Sequence, residues 1–118
     1  AWSGRIATAK DEGSPVDMHY NGGIMISAGW VVPKNAPNKE NAMKFIEFIS
    51  EAPQQYGFSE LIPYGSTNPE AVALMSDEMK VDLGQSDEQL ENEIYLNNTY
   101  WAENLSSVEE RFNAWLLE

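Results

Sequence analysis

The sequence predicts a single α/β domain, with its strands early in the chain and its helices late. The chain has 118 residues, of which 42% are hydrophobic, and this is enough apolar side chain to build one core. The segment from Ile24 to Val32 is apolar on both of its alternating faces, as a strand inside a sheet is. After residue 38 the apolar residues follow helical spacing instead.

The first third of the chain combines helix, turn and strand signals. A helix through Arg5–Ala9 is expected to stop at Gly13, because glycine favours the position just beyond a helix. Val16–Tyr20 is a predicted short strand. The turn Asn21-Gly22-Gly23 then leads into the long strand at Ile24, since asparagine and glycine tolerate positive φ.

Asparagine and proline mark where the middle helices begin. Asn38 is predicted to cap a helix with the apolar positions Ala42, Phe45, Ile46 and Ile49. Pro53 ends that helix and opens another short one, and Asn68-Pro69 starts a further helix.

Two capping boxes predict the last helices. Ser86 with Gln89, and Ser107 with Glu110, both match the pattern in which the first and fourth residues exchange hydrogen bonds. Residues 75–84 carry the weakest signals and are predicted to be the least structured stretch.

The negative charge is strong and unevenly distributed. Seven Lys and Arg residues oppose 19 Asp and Glu residues, for a formal net charge of −12. This charge repels phosphate, which argues against nucleic acid or an anionic membrane surface as a partner. All of it belongs to residues 51–118, because residues 1–50 hold five basic and five acidic groups. We interpret this half as a solvated helical surface, with a cation-binding surface or a docking face as the alternatives.

The sequence offers little for catalysis or metal binding. It has no cysteine, which excludes disulfides, thiolate metal sites and cysteine nucleophiles. His19 is the only histidine, and no phosphate loop, nucleophile elbow or metalloprotease motif accompanies it. We therefore predict no catalytic residue, no metal site and no cofactor. An enzyme that uses His19 is the weakest hypothesis for this chain.

Aromatic residues give a stronger indication of function. Trp2, Trp30, Tyr64, Tyr100 and Trp101 lie at predicted strand ends, loops and junctions, where aromatic rings can line a ligand cleft and attract cations. We expect Trp30, like Trp115 of the last helix, to fill the core. Trp2 and Tyr64 both lie next to predicted glycine-containing turns, and for these two residues a cleft position and a core position are about equally expected.

Six segments carry a common resemblance: Trp2-Ser3-Gly4, Gly22-Gly23-Ile24, residues 30–42, Phe45–Ile49, Pro63–Pro69, and the closing Tyr100-Trp101 with Arg111–Leu116. Together they resemble the polyamine-type extracellular solute-binding proteins of bacterial ABC transporters. The similarity covers essentially the whole chain, and residues 30–49 are its most specific part. Members of that family are several times longer, and the chain matches their C-terminal portion.

The resemblance implies part of a type 2 periplasmic-binding-protein-like fold, in which two lobes close on a ligand. Residues 1–118 would be a C-terminal fragment, with 1–15 as a lobe-crossing strand end and helix and 16–118 as the remainder of one lobe. The start at Ala1, without an initiator methionine or signal peptide, fits that expectation. The implied ligand-binding residues are Trp2, Ser3 and Tyr64.

The implied function is non-catalytic binding of a polyamine or other small amine, in the periplasm or outside the cell, for delivery to a membrane ABC permease. Surface normally covered by the rest of the receptor would be exposed, which favours a homo-oligomer of the fragment. The alternative is a free-standing acidic protein–protein interaction domain. That alternative predicts a closed core and a contiguous acidic patch, whereas a receptor fragment predicts Trp2 and Tyr64 converging on one open face.

The chain departs from the polyamine pattern at positions that matter for specificity. Ile26 and Ala28 stand where polyamine binders carry an aromatic residue and then an acid, and Ala102 stands where a polar cleft residue is expected. Loss of an acid removes a partner for an ammonium group, a contact that contributes about 1.5–3 kcal/mol. A singly charged amine or an amino acid such as 4-aminobutyrate, or an opine-like compound, is therefore as plausible as spermidine or putrescine.

Overall fold

The computed structural model describes all 118 residues, and they are mostly helical. The elements in chain order are α1 (Ser3–Asp11), β1 (Ile24–Met25), α2 (Lys39–Ser50), α3 (Ala52–Leu61), α4 (Pro69–Leu74), α5 (Asp77–Asp82), α6 (Asp87–Asn92), β2 (Ile94–Tyr95) and α7 (Asn98–Leu116). None of the helices combines the length and apolar character that crossing a bilayer requires.

The sheet is much smaller than the sequence predicts. β1 pairs with β2 in parallel, with Ile24 opposite Ile94 and Met25 opposite Tyr95. The prediction of a strand through Val32 is therefore wrong beyond Met25, and Val16–Tyr20 forms no strand. A strand needs a hydrogen-bonding neighbour. Within this chain only Ile94 and Tyr95 offer one, so the apolar run after Met25 stays exposed.

Most helix boundaries agree with the capping signals. α1 is followed by Gly13 at a φ of 89°, and the side chain of Asn68 accepts a hydrogen bond from the Glu70 amide at the start of α4. The capping box at Ser86 is present in full. α2 begins directly after Asn38 as predicted, although that side chain makes no capping hydrogen bond.

Two helix predictions are wrong. The stretch 75–84 contains α5, whose N-cap Ser76 accepts a hydrogen bond from the Met79 amide. The last helix begins at Asn98 with Asn97 as its cap, nine residues before the predicted capping box. Ser107 is thus inside α7, where its hydroxyl donates to the Asn104 carbonyl at 2.9 Å. A serine can satisfy its hydroxyl within a helix, so the box pattern alone does not fix a helix start.

The core is small and open. α3 packs against α2 and α4, and only six residues of 118 are buried, among them Ala71, Met75, Leu83 and Ser59. The chain exposes 9532 Å², whereas a compact monomer of this mass exposes about 6,400 Å². Its radius of gyration is 17.4 Å, against about 13.5 Å for a compact domain of this length. Trp30 and Trp115, expected in the core, are 68% and 62% exposed.

Candidate functional site

The structure brings the three predicted ligand-binding residues to one corner. Trp2 is the N-cap of α1 and Ser3 is its first residue. The ring of Tyr64 lies directly against Gly4, where an added Cβ would be 2.7 Å from the tyrosine Cζ. Gly4 is buried, and only a residue without a side chain allows this approach. Residues about sixty positions apart in sequence therefore meet here, in an arrangement we call the aromatic corner (Trp2, Ser3, Gly4 and Tyr64).

Two glutamines fix the loop that carries Tyr64. Gln55 of α3 accepts hydrogen bonds through its Oε1 from the amides of Thr67 and Asn68, at 3.1 and 3.0 Å, and from the Ser66 hydroxyl. Gln85 accepts from the Ser66 amide at 2.8 Å and donates to the Ser66 carbonyl at 2.7 Å. The loop after Tyr64 is thus held at both sides, which restricts where the tyrosine ring can lie.

The aromatic corner is only partly open to solvent, since Gly4 is buried and Ser3 and Tyr64 are half-buried, and it has unused polar groups. Trp2 is 58% exposed, and its side chain provides no cap for α1. The carbonyl of Trp2 accepts from the Arg5 and Ile6 amides. The amides of Ser3 and Gly4, and the hydroxyl of Tyr64, donate no hydrogen bond within the chain. A helix N-terminus carries partial positive charge, and an aromatic face attracts a cation. The corner can therefore contact both ends of an amino acid.

The positions that depart from the polyamine pattern lie elsewhere along the chain. Ile26 follows β1 and is 45% exposed, and Ala28 is exposed two residues later. Ala102 is an exposed residue in the first half of α7. None of the three offers a carboxylate or an aromatic ring to a ligand.

His19 lies in a shallow groove away from the aromatic corner. The groove has a volume of about 250 Å³ and lies between the residue 19–21 turn and α6. Its polar lining includes Ser86, Glu88, Gln89 and Asn92. Nowhere in the chain do three His, Asp or Glu side chains converge as a metal ion would need.

Tyr20 beside this groove has a structural role that sequence patterns do not indicate. Its ring packs on Gly84, and its hydroxyl donates to the Asp82 carbonyl at 2.8 Å. Burial, and next the negative charge of Glu93, raise the pKa of Tyr20 to about 12. One oxygen of Glu93 is buried without a hydrogen-bond partner, and burial raises the pKa of that carboxyl group. These contacts join the residue 20–23 turn to α5 and β2.

The aromatic corner thus combines two aromatic rings with a free hydroxyl and a free helix amide. Comparison with known proteins gives the family. Residues 1–91 match the family model described as bacterial extracellular solute-binding protein, so the chain belongs to that family, whose members are non-enzymatic binding proteins.

Named relatives agree with this assignment. The chain is 36% identical to the gamma-aminobutyric acid-binding protein of Pseudomonas aeruginosa over 115 residues, which are 98% of this chain and 33% of that protein. It is 34% identical to the spermidine/putrescine-binding periplasmic protein of Escherichia coli over 83 residues, which are 69% of this chain and 24% of that protein. The chain thus spans about a third of the length of such relatives or less. No solved structure gives a significant match.

Proposed function

We propose that the chain is the ligand-contacting part of a periplasmic solute receptor, which binds a small amine without catalysis and presents it to an ABC permease. The packing of Tyr64 on Gly4, beside Trp2 and Ser3, carries this proposal. An open corner suits one wall of a cleft, whose other wall a second lobe supplies on closure. The ligands named for the relatives support an amine as ligand, and the periplasmic location of the spermidine/putrescine-binding relative supports the same location for this chain.

We favour 4-aminobutyrate over a polyamine as the ligand. The aromatic face of Trp2 can hold its single ammonium group, a contact that contributes about 0.5–2 kcal/mol. The free amide of Ser3, at the N-terminus of α1, suits its carboxylate, which a polyamine lacks. Ile26 and Ala28 supply no acid for a second ammonium group. The gamma-aminobutyric acid-binding relative also aligns over more of this chain than the spermidine/putrescine-binding relative does.

Titration of the chain with 4-aminobutyrate, putrescine and spermidine, followed by NMR, tests the proposal. Its four tryptophans give four separate indole N–H signals. We expect 4-aminobutyrate to shift the Trp2 signal alone, at millimolar concentrations, because in this proposal the chain supplies only one wall of the cleft. Tyr64→Phe should weaken the binding by about threefold to tenfold through loss of the free hydroxyl. Trp115→Ala, which removes an exposed indole at the other end of the chain, is the matched control and should change nothing.

The results separate the parts of the proposal. An unmoved Trp2 signal at saturating 4-aminobutyrate contradicts the ligand, and stronger shifts with spermidine contradict the preference for a single charge. Micromolar affinity for any of the three would contradict the idea that this chain holds only one wall of the cleft.

A further inference from the structure

The backbone of Gln85 is held in place by the way α5 ends. The Gly84 amide donates to the Val81 carbonyl at 3.2 Å. The Gln85 amide donates to the Lys80 carbonyl at 2.7 Å. Together with the left-handed backbone of Gly84, these two bonds form a Schellman motif. The ring of Tyr20 also packs on Gly84. The backbone that carries the Gln85 side chain is therefore fixed independently of the loop after Tyr64.

The side chain of Gln85 does something that the end of a helix does not require. The residue at its position in a Schellman motif frequently makes an apolar contact back to the helix, whereas the amide group of Gln85 bonds to the loop after Tyr64. Its Oε1 accepts from the Ser66 amide at 2.8 Å, and its Nε2 donates to the Ser66 carbonyl at 2.7 Å. Both bonds are partly buried, so leaving one of these groups unpaired is costly.

Gly65 lies between this pair of hydrogen bonds and Tyr64. The Ser66 amide belongs to the peptide unit that begins at Gly65, so Gln85 holds the peptide directly after the glycine. The glutamine side chain also lies against the glycine itself, because a Cβ added to Gly65 would be 2.8 Å from the Gln85 Cδ. Glycine permits more backbone conformations than other residues. Without Gln85, the loop could rotate at Gly65 and carry the Tyr64 ring away from Gly4.

Gln55 holds the same loop further from Tyr64. Its Oε1 accepts from the amides of Thr67 and Asn68, a role for which any acceptor is sufficient. Gln85 must also act as a donor, to the Ser66 carbonyl. Loss of a donor at each of the two positions therefore separates their roles.

We propose that Gln85 is a positioning residue of the ligand site. Through the Ser66 peptide and Gly65, it holds the Tyr64 ring against Gly4, in the first turn of α1. The importance of Gln85 for binding rests on the function proposed above, whereas its effect on the position of Tyr64 does not. A displaced ring would weaken binding because hydrogen bonds from the Tyr64 hydroxyl depend steeply on distance and angle.

Gln85→Glu tests the proposal, because a carboxyl group donates a hydrogen bond only when it is protonated. At about pH 7 the carboxylate repels the Ser66 carbonyl, whereas at about pH 4.5, near the ordinary glutamate pKa of about 4.3, protonation restores the donor. The ring position can be measured without ligand by NMR. One α-proton of Gly4 points at the Tyr64 ring, since a Cβ in its place would be 2.7 Å from Cζ. We expect the signal of this proton to be displaced at the higher pH and to return at the lower pH.

The affinity for 4-aminobutyrate should follow the same pattern. Gln85→Glu should weaken binding about threefold to tenfold at the higher pH, and the loss should shrink at the lower pH. The matched control is Gln55→Glu, which keeps its acceptor and should change neither the Gly4 signal nor the affinity. Each variant is compared with the unaltered chain at the same pH, because other charged groups titrate in all of them. Those that share a groove with Gln85 are Asp77, Lys80 and Asp87.

Gly65→Ala tests the contact without a new charge. Its Cβ should push the Gln85 amide aside, so the Gly4 signal should move and binding should weaken at both pH values. The control is Gly57→Ala, because nothing lies within 4 Å of its added Cβ. The amide signals of Ala71 and Met75, which are buried in the core, report whether each variant is folded. If Gln85→Glu unfolds at the higher pH, Gly65→Ala decides the question.

Several results would overturn the proposal. They are an unmoved Gly4 signal in folded Gln85→Glu at the higher pH, an equal displacement at both pH values, an equally large effect of Gln55→Glu, and a displaced Gly4 signal with unchanged affinity. Failure of the unaltered chain to bind 4-aminobutyrate contradicts the proposed function instead. The Gly4 signal measured without ligand still decides in that case whether Gln85 positions Tyr64.

Discussion

The contact between Tyr20 and Gly84 holds two distant parts of the chain together, at positions where no sequence motif predicts it. Gly84 has a φ of 70°, and a Cβ added to it would lie 2.4 Å from the Tyr20 ring. Two independent constraints, the left-handed backbone and the close ring, thus require glycine at this position. The contact holds the turn before β1 on the end of α5 across more than sixty residues.

Gly84→Ala should therefore destabilise the chain by about 2 kcal/mol or more, through backbone strain and displacement of the Tyr20 ring. Thermal unfolding followed by circular dichroism measures the loss. Gly29→Ala is the matched control, because nothing lies within 4 Å of its added Cβ and its backbone is outside the left-handed region. Equal stability of the two variants would show that the Tyr20 contact is dispensable.

Glu93 should make stability depend on pH in the direction opposite to that of a salt-bridged acid. Burial raises its pKa in the folded chain, so the folded state binds the proton more firmly than the unfolded state. Stability then falls as pH rises from the unfolded pKa through the folded one. Glu93→Gln should remove that loss and stabilise the chain at pH 7 by about 0.5 kcal/mol, a small gain because the side chain is partly solvated.

The control for Glu93 is Glu91→Gln, which removes the same charge from an exposed position two residues earlier. Melting temperatures of both variants across pH 4 to 8 give the comparison, with the range chosen around ordinary carboxyl pKa values of about 4. If Glu93→Gln raises the melting temperature as much at pH 4 as at pH 8, burial of the charged carboxylate is not the cause of the gain.

The two glutamines of the Tyr64 loop should respond differently to the same substitution. Gln55 acts through its carbonyl oxygen alone, whereas Gln85 must also donate to the Ser66 carbonyl. Gln55→Glu keeps every acceptor and should change the free energy of unfolding little. Gln85→Glu sets two oxygens against each other and should cost about 1–3 kcal/mol. Chemical unfolding of the two variants measures this difference, and equal effects would contradict the assigned hydrogen bonds.

At the level of secondary-structure elements, helix boundaries could be predicted from local sequence signals, whereas strand pairing could not. The end of α1 follows from Gly13, and the starts of α4 and α6 follow from Asn68 and Ser86, because caps act within one turn of the helix. The extent of β1 could not be predicted in this way. A strand is defined by its neighbour, and β2 lies about seventy residues further along the chain.

The same limit applies to the aromatic corner. Trp2 and Tyr64 could be singled out from the sequence by the glycine-containing turns beside them and by family resemblance. It could not predict that Gly4 admits the tyrosine ring, or that Gln55 and Gln85 hold the loop, since these contacts join distant parts of the chain. Their assignment to a ligand remains a proposal.

Two serines with the same sequence signature should behave differently when mutated. Ser86→Ala removes an N-cap and the capping box of α6, and should cost about 1 kcal/mol. Ser107→Ala lies within α7, where alanine is the better helix former, and should stabilise that helix by a few tenths of a kcal/mol. Helix content and thermal unfolding of the two variants provide the measurement. A large loss from Ser107→Ala would show that a helix starts there after all.

At the scale of the whole molecule, the open core should lower the m-value, the dependence of the unfolding free energy on urea concentration. Folding buries about 9,600 Å² here, compared with about 12,700 Å² for a compact protein of the same mass. The urea m-value scales with the area exposed on unfolding. We therefore expect an m-value about a quarter below that of a compact domain of 118 residues.

Urea unfolding of the chain, followed by circular dichroism, measures the m-value directly. An m-value of ordinary size would mean that the chain closes its core in solution, and the exposed area could then no longer support the receptor wall.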